Sequence, residues 1–158
     1  MTSARAKIKS PKRLATLRQL WGWEGRKVVF TNGVYDILHA GHLQLLERAR
    51  SLGDVLIVGI NSDASARRLG KGAGRPINRL RDRLALVAAL GCVDAVVPFG
   101  EDTPERLLSR LRPDVLVKGA DYRKKDIVGA RHCGRVVRVR LKSGYSTTRL
   151  IRRLQGKS

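Results

Sequence analysis

The sequence predicts an α/β protein, a single doubly wound, Rossmann-like parallel sheet with helices on both faces. Three observations carry that expectation. Short runs such as residues 27–31, 55–60 and 93–99 are apolar throughout rather than at every second position, as in strands covered on both faces. Between them lie segments whose apolar residues recur at helical spacing, the alternation of a parallel sheet with right-handed crossovers. The chain of 158 residues is 42% hydrophobic but only 4% aromatic, so Leu, Val, Ile and Ala must fill one core of ordinary domain size.

Taken in order, residues 1–9 show no apolar periodicity and read as a disordered basic arm, and residues 10–26 as an N-terminal helix and linker. Ser10 can cap that helix with Pro11 at its first position, and Gly22 and Gly25 can end it. The main domain spans 27–158. Its first strand, 27–31, gives way to Asn32-Gly33 and then to a helix marked by Leu43, Leu45, Leu46 and Ala49. Residues 55–60 form the second strand, and a short helix begins at Ser62 or Asp63. Beyond the flexible Gly70-Lys71-Gly72-Ala73-Gly74, a long helix over 79–90 leads to the strand at 93–99. A helix after Thr103-Pro104, stopped by Pro113, precedes strands at 115–117 and 136–139, and a helix over 147–154 closes the chain.

Composition limits the function. No apolar run approaches the roughly 18–20 residues of a membrane-spanning helix, and the basic N-terminus lacks a following apolar stretch and cleavage site, so a cytoplasmic protein is expected. Cys92 and Cys133 form neither a C-x-x-C pair nor a disulfide framework and read as free thiols. Thirty-three Lys and Arg against 13 Asp and Glu give a net charge of +20, spread along the whole chain. Polyanions are attracted non-specifically, but neither a dense basic stripe nor an aromatic strand pattern marks a nucleic-acid surface.

In open parallel sheets ligands sit beyond the carboxyl ends of the strands, which directs attention to the loops at 32–42, 61–63, 118–122 and 142–148. The first brings His39 and His42 to the opening of a helix. Unpaired first-turn N–H groups and the helix dipole favour an anion there, two imidazoles add directed donors, and Gly41 leaves room for a phosphate to approach the backbone. Such donors would stabilise charge developing on a transferring α-phosphate. Two histidines at this spacing also suit metal ligation or simple capping, and a zinc site would have to recruit His132 and Cys133. The glycines at 70, 72 and 74 do not form a Walker loop, since no Gly-Lys-Ser/Thr follows.

The pattern Asn32-Gly33-x-x-Asp36-x-x-His39-x-Gly41-His42 resembles the signature of the cytidylyltransferase-like nucleotidyltransferase superfamily. Further segments match in order, including Asn61-Ser62-Asp63, Gly74-Arg75-Pro76-Ile77-Asn78, Glu101-Asp102-Thr103-Pro104, Lys118-Gly119-Ala120-Asp121-Tyr122 and Gly144-Tyr145-Ser146-Thr147-Thr148. Together they resemble the adenylyltransferases that act on D-glycero-β-D-manno-heptose 1-phosphate in ADP-heptose synthesis for lipopolysaccharide. Glycerol-phosphate cytidylyltransferases carry Arg-Thr-Glu-Gly before their Ser-Thr-Thr, where this chain has Leu141-Lys142-Ser143-Gly144.

The resemblance implies AMP transfer from ATP to the sugar 1-phosphate. It assigns His39, His42, Lys71 and Arg75 to catalysis, and Thr31, Asn32, Gly33, Asp36, Gly41, Lys118, Gly119, Asp121, Tyr122, Ser146, Thr147 and Thr148 to the nucleotide. Asp63, Arg75, Asn78 and Arg83 fall to the acceptor, Mg²⁺ arrives with ATP, with Asp121, Asp36 or Asp63 able to touch the cation, and a homodimer is implied. Members often carry a sugar kinase on the same chain; here a separate kinase is expected to supply the heptose 1-phosphate. The segment Arg131-His132-Cys133-Gly134 is shorter than its family counterpart.

Overall fold

The computed structural model describes residues 3–70, 72–120, 123, 127–140 and 145–156. Five strands form one all-parallel sheet in the order β3-β2-β1-β4-β5: β1 (Val28–Gly33), β2 (Val55–Asn61), β3 (Ala95–Phe99), β4 (Val115–Gly119) and β5 (Arg135–Val139). The helices are α1 (Pro11–Trp23), α2 (Ala40–Arg50), α3 (Asp63–Arg68), α4 (Leu80–Ala89), α5 (Glu105–Leu111) and α6 (Thr147–Leu154). No helix among the described residues is long and apolar enough to cross a membrane.

Strand alternation divides the core into two layers. Val29, Leu56, Val58 and Val96 point to one face, where Leu45, Leu46 and Ala49 of α2 and Leu84, Val87 and Ala88 of α4 cover them. Phe30, Ile57, Val97 and Leu116 point to the other, beneath Leu14 of α1 and Leu107, Leu108 and Leu111 of α5. Both sets are buried, which is why the strands read as unbroken apolar runs.

Local signals account for most helix starts. Ser10 accepts from the Arg13 N–H ahead of Pro11, and Ser62 accepts from the Ser65 N–H at the start of α3. A repeated device ties the amino ends of the strands together. Asp54 accepts from the Lys27 N–H (2.8 Å), Asp94 from Leu56 (2.8 Å) and Asp114 from Val28 (2.7 Å), so a carboxylate just before each of three strands grips a backbone donor at or just before the start of the strand beside it.

The expected free basic arm is corrected over its described part. Ala4–Lys7 form a 3₁₀ turn, Ile8 bridges Val96 in parallel, and Lys9 N–H donates to the Val96 carbonyl at 2.8 Å. The reason is the edge of the sheet: β3 presents open backbone groups there, and Ala4 and Ile8 pack against the apolar layer beneath α4. Cys92 and Cys133 are free thiols.

Candidate functional site

The carboxyl end of β1 runs through Asn32-Gly33 into a loop containing Tyr35, whose φ of 50° is in the left-handed region that a non-glycine residue occupies only under strain. The loop ends at His39, the N-cap of α2, whose Nδ1 accepts from the His42 N–H at 3.4 Å. With Nδ1 used in this way, the neutral ring carries its proton on Nε2, the donor it offers to a ligand. Burial pulls the His39 imidazole below the usual histidine pKa, which favours that neutral form. His42 stacks on His39 with ring centroids 3.8 Å apart and meets Tyr35 at 5.1 Å.

Ser146 caps α6 and accepts from the Arg149 N–H at 3.1 Å. Tyr145, just before it, stacks over His39 with centroids 6.3 Å apart. His39, Tyr145, Ser146, Arg149 and Arg153 line one cavity of about 170 Å³, so the opening of α2 and the first turn of α6 converge there. Thr148 instead lines a second cleft of about 410 Å³, opposite Gly72, Gly74 and Arg75 and beside Arg152. A third cavity of about 230 Å³ lies at the carboxyl ends of β1, β2 and β4, lined by Asn32, Gly33, Asn61, Asp102, Thr103 and Lys118 with Val34, Leu69, Pro104, Ile127 and Val128 as apolar wall. Lys118, nearly buried, donates from Nζ to Asn32 Oδ1 across the gap between β4 and β1. That gap is where strand order reverses, the usual ligand crevice of a doubly wound sheet.

Several expected ligand contacts turn out to be internal. Arg83 is 0% exposed: Nε donates to the Asn78 carbonyl (3.0 Å), Nη1 to the carbonyls of Val34 (2.6 Å) and Asn61 (2.9 Å), and Nη2 to Asp63 Oδ1 (2.7 Å). It is therefore the hub that joins the β1 loop, the end of β2, α3 and α4, and not a cation offered to the acceptor. Asp63 is committed to Arg83, and Asn78 gives its N–H to Asp36 Oδ1 at 2.9 Å and its side-chain amide to the Asp36 carbonyl. Asp36 Oδ2 also receives Arg75 Nε at 3.1 Å. Burial alone would push the Asp36 pKa up, but backbone donors from Asn78 and Ile77 and the Arg75 guanidinium outweigh it and hold the carboxyl below its usual value.

Thr31 is likewise reassigned, because its buried hydroxyl donates to the Val117 carbonyl at 3.0 Å and ties β1 to β4. A Cβ at Gly41 would stand 2.9 Å from Tyr145 Cβ and 3.0 Å from His39 Nδ1, so glycine there admits the packing of Tyr145. Gly119 ends β4, and Thr147 opens α6. Lys71, Asp121 and Tyr122 lie outside the described residues, as do residues 141–144. The described residues hold no group of three or more His, Cys, Asp or Glu placed for a metal.

The sequence reading gave no individual role to Asn61, Tyr145, Asp102 and Thr103, which it had only as parts of matching segments, and none to Arg149 and Arg153. Tyr145 and Arg149 flank the Ser-Thr-Thr segment and were legible as its neighbours. Asp102 and Thr103 follow β3, an edge strand, and line the cavity with residues that follow β1, β2 and β4, a meeting that sequence order alone does not show.

A family model described as cytidylyltransferase-like matches residues 30–153. The bifunctional protein HldE of Pseudomonas paraeruginosa is 56% identical over 137 residues, 84% of this chain and 29% of that protein. The chain thus spans about three tenths of the relative it matches. Among solved structures, the lipopolysaccharide core biosynthesis protein of Thermoplasma volcanium aligns with a TM-score of 0.63 at 31% identity, over 77% of this chain and all of the other. A pantoate-beta-alanine ligase of Francisella tularensis aligns with the same TM-score at 18% identity, over 89% of this chain and 68% of its own, and shares the fold.

Proposed function

The chain belongs to the cytidylyltransferase-like family, and from that premise we propose that it transfers AMP from ATP to D-glycero-β-D-manno-heptose 1-phosphate, giving ADP-heptose and pyrophosphate. The observation that carries the chemistry is the meeting of His39, stacked on His42, with Ser146 and Arg149 in one cavity at the openings of two helices. An oxygen of the acceptor phosphate forms the new bond to the α-phosphorus, and the bond to the bridging oxygen of the departing pyrophosphate breaks. The acceptor is already an anion, so no nucleophilic side chain or general base is required, and positioning and charge neutralisation are what the protein supplies. His39 Nε2–H, His42 and the first-turn N–H groups of α2 are donors for the α-phosphoryl oxygens, while Arg149 and the N–H groups opening α6 suit pyrophosphate.

Mg²⁺ is the cation we assign to the triphosphate. The described carboxylates do not suit a protein-held ion: Asp36 is paired with Arg75 and Asp63 with Arg83, each a guanidinium that opposes a metal. The metal would therefore be held by phosphate oxygens. HldE relatives are bifunctional by name, and a kinase step forming the heptose 1-phosphate would precede this reaction. The setting proposed is the cytoplasm, where ATP is available, and the assembly a homodimer, to be measured by sedimentation.

The test is pyrophosphate release with each NTP against a set of sugar and alcohol phosphates. Activity requiring ATP and heptose 1-phosphate is expected; CTP-dependent turnover of glycerol phosphate would overturn the assignment. His42→Ala should lower kcat by roughly 10²- to 10³-fold, about 2.7–4 kcal/mol, as for loss of one transition-state donor. A variant retaining near-normal kcat removes His42 from the mechanism.

A further inference from the structure

We propose that Arg140 and Arg152 belong to an electrostatic approach surface that draws anionic substrates to the carboxyl end of the sheet, acting through their field and not by contact with the ligand. This inference rests on the nucleotidyl-transfer reading and adds how its charged substrates reach the site.

Ion pairing leaves the positive charge unevenly placed. Residues 121–158 hold 12 of the 33 Lys and Arg but two of the 13 Asp and Glu, a net +10 of the +20. Before residue 121, nine of the 11 carboxylates stand in ion pairs with arginine, so much of the charge there is cancelled locally. A cancelled pair exerts little force on an ion arriving from solvent. Among the described residues, no carboxylate pairs with Arg140, Arg149, Arg152 or Arg153.

These unpaired arginines gather at one end of the molecule. The first turn of α6 lies over His39 and Gly41, and the helix has three arginines, no acidic residue and no buried residue. Leu150 and Ile151 are half-buried, while Arg149, Arg152 and Arg153 are exposed. Arg149 and Arg153 border the cavity that holds His39, and Arg152 borders the larger cleft with Arg75. Arg140 is exposed directly after β5, at the carboxyl end of the sheet. Three carboxylates, Asp54, Asp94 and Asp114, stand instead at the amino ends of β2, β3 and β4. Charge is thus polarised along the strands, with the positive pole at the cavity mouths.

Every substrate and product of the proposed reaction is an anion, and a cationic mouth raises the encounter rate of such ligands in a way that salt suppresses. Arg152 and Arg153 also complement the carboxyl end of the α6 dipole, a contribution to helix stability that leaves no salt-dependent mark on ligand association. Position along β5 supplies a control. Arg135 opens the strand and Arg140 follows it, and at about 3.3 Å per residue they are roughly 17 Å apart. That separation exceeds the screening length of about 10 Å at 0.1 M salt, so Arg135 has the same charge but is too distant to act at the mouth.

Stopped-flow association of a fluorescent N-methylanthraniloyl derivative of ATP with Mg²⁺ is followed over an ionic-strength series. Arg140→Gln/Arg152→Gln is compared with Arg110→Gln/Arg135→Gln, which removes the same charge from the last turn of α5 and the amino end of β5. The first pair should slow association about threefold at roughly 20 mM ionic strength and not at all at about 0.5 M, with kcat within twofold of wild type. The second pair should stay within about 1.3-fold throughout. A loss that persists at high salt means direct contact, and equal losses in both pairs mean net charge alone; either result, or no loss, overturns the inference. If the wild type fails to bind the ATP derivative at any salt, the nucleotidyl-transfer reading falls and takes the inference with it. If the wild type binds and turns over without this salt pattern, the inference alone is lost.

Discussion

Replacing Arg83 by Met tests whether the buried guanidinium is structural. The change keeps much of the side-chain volume and removes every donor. Three backbone carbonyls, those of Val34, Asn61 and Asn78, lose their Arg83 partner in a region from which water is excluded, and Asp63 loses its ion pair. An orphaned buried polar group costs about 1–3 kcal/mol, and breaking a buried ion pair from one side about 3–5 kcal/mol. These contributions do not add fully, since the freed loops relax and Asp63 keeps some contact with water. The expected loss is about 3–5 kcal/mol, which for a domain of this size lowers Tm by roughly 6–20 °C. Urea unfolding followed by circular dichroism reads it, with an unchanged m-value if the denatured state is unaffected. A loss under about 1 kcal/mol would refute the hub, and unchanged stability with raised KM values would return Arg83 to the ligand.

Acid should act through Asp36. Its folded pKa is depressed, so its contribution to stability is present above the unfolded value near 4 and is lost as pH falls through the folded value. Urea midpoints between pH 6 and pH 3 should fall for the wild type and fall less steeply for Asp36→Asn; parallel slopes would contradict this. The His39 imidazole is also depressed, here by burial, so the neutral ring and its share of stability persist above about pH 6.5 and are lost only below it. NMR titration of the His39 ring should give a midpoint under 6.5, and one at or above that value would remove the argument for a neutral donor. Gly41→Ala should displace Tyr145 and α6 and lower kcat at least tenfold with little change in Tm, because the added Cβ meets Tyr145 and His39 and no core residue. Activity within twofold of wild type would show that α6 does not need its seat on Gly41.

The strand and helix order, the caps at Ser10 and Ser62, and the placing of His39 and His42 at a helix opening were all readable in sequence. Each depends on interactions within a few residues, through apolar period, capping oxygens and proline, so local text carries them. What the polar residues near the site do was not readable in the same way. Thr31, Asp36, Asp63, Asn78 and Arg83 have the chemistry of ligand contacts, and sequence spacing cannot say whether an arginine meets a phosphate or three carbonyls of its own chain. That was decided by packing: the first turn of α4 brings Arg83 to the carbonyls of Val34 and Asn61, and burial obliges it to find partners there. The same holds for the amino-terminal turn, whose Ile8 is ordered by the open edge of β3, nearly ninety positions away in sequence. Patterns spaced along the chain determined which elements form, while the close approach of distant segments determined which charges face a ligand and which hold the protein together.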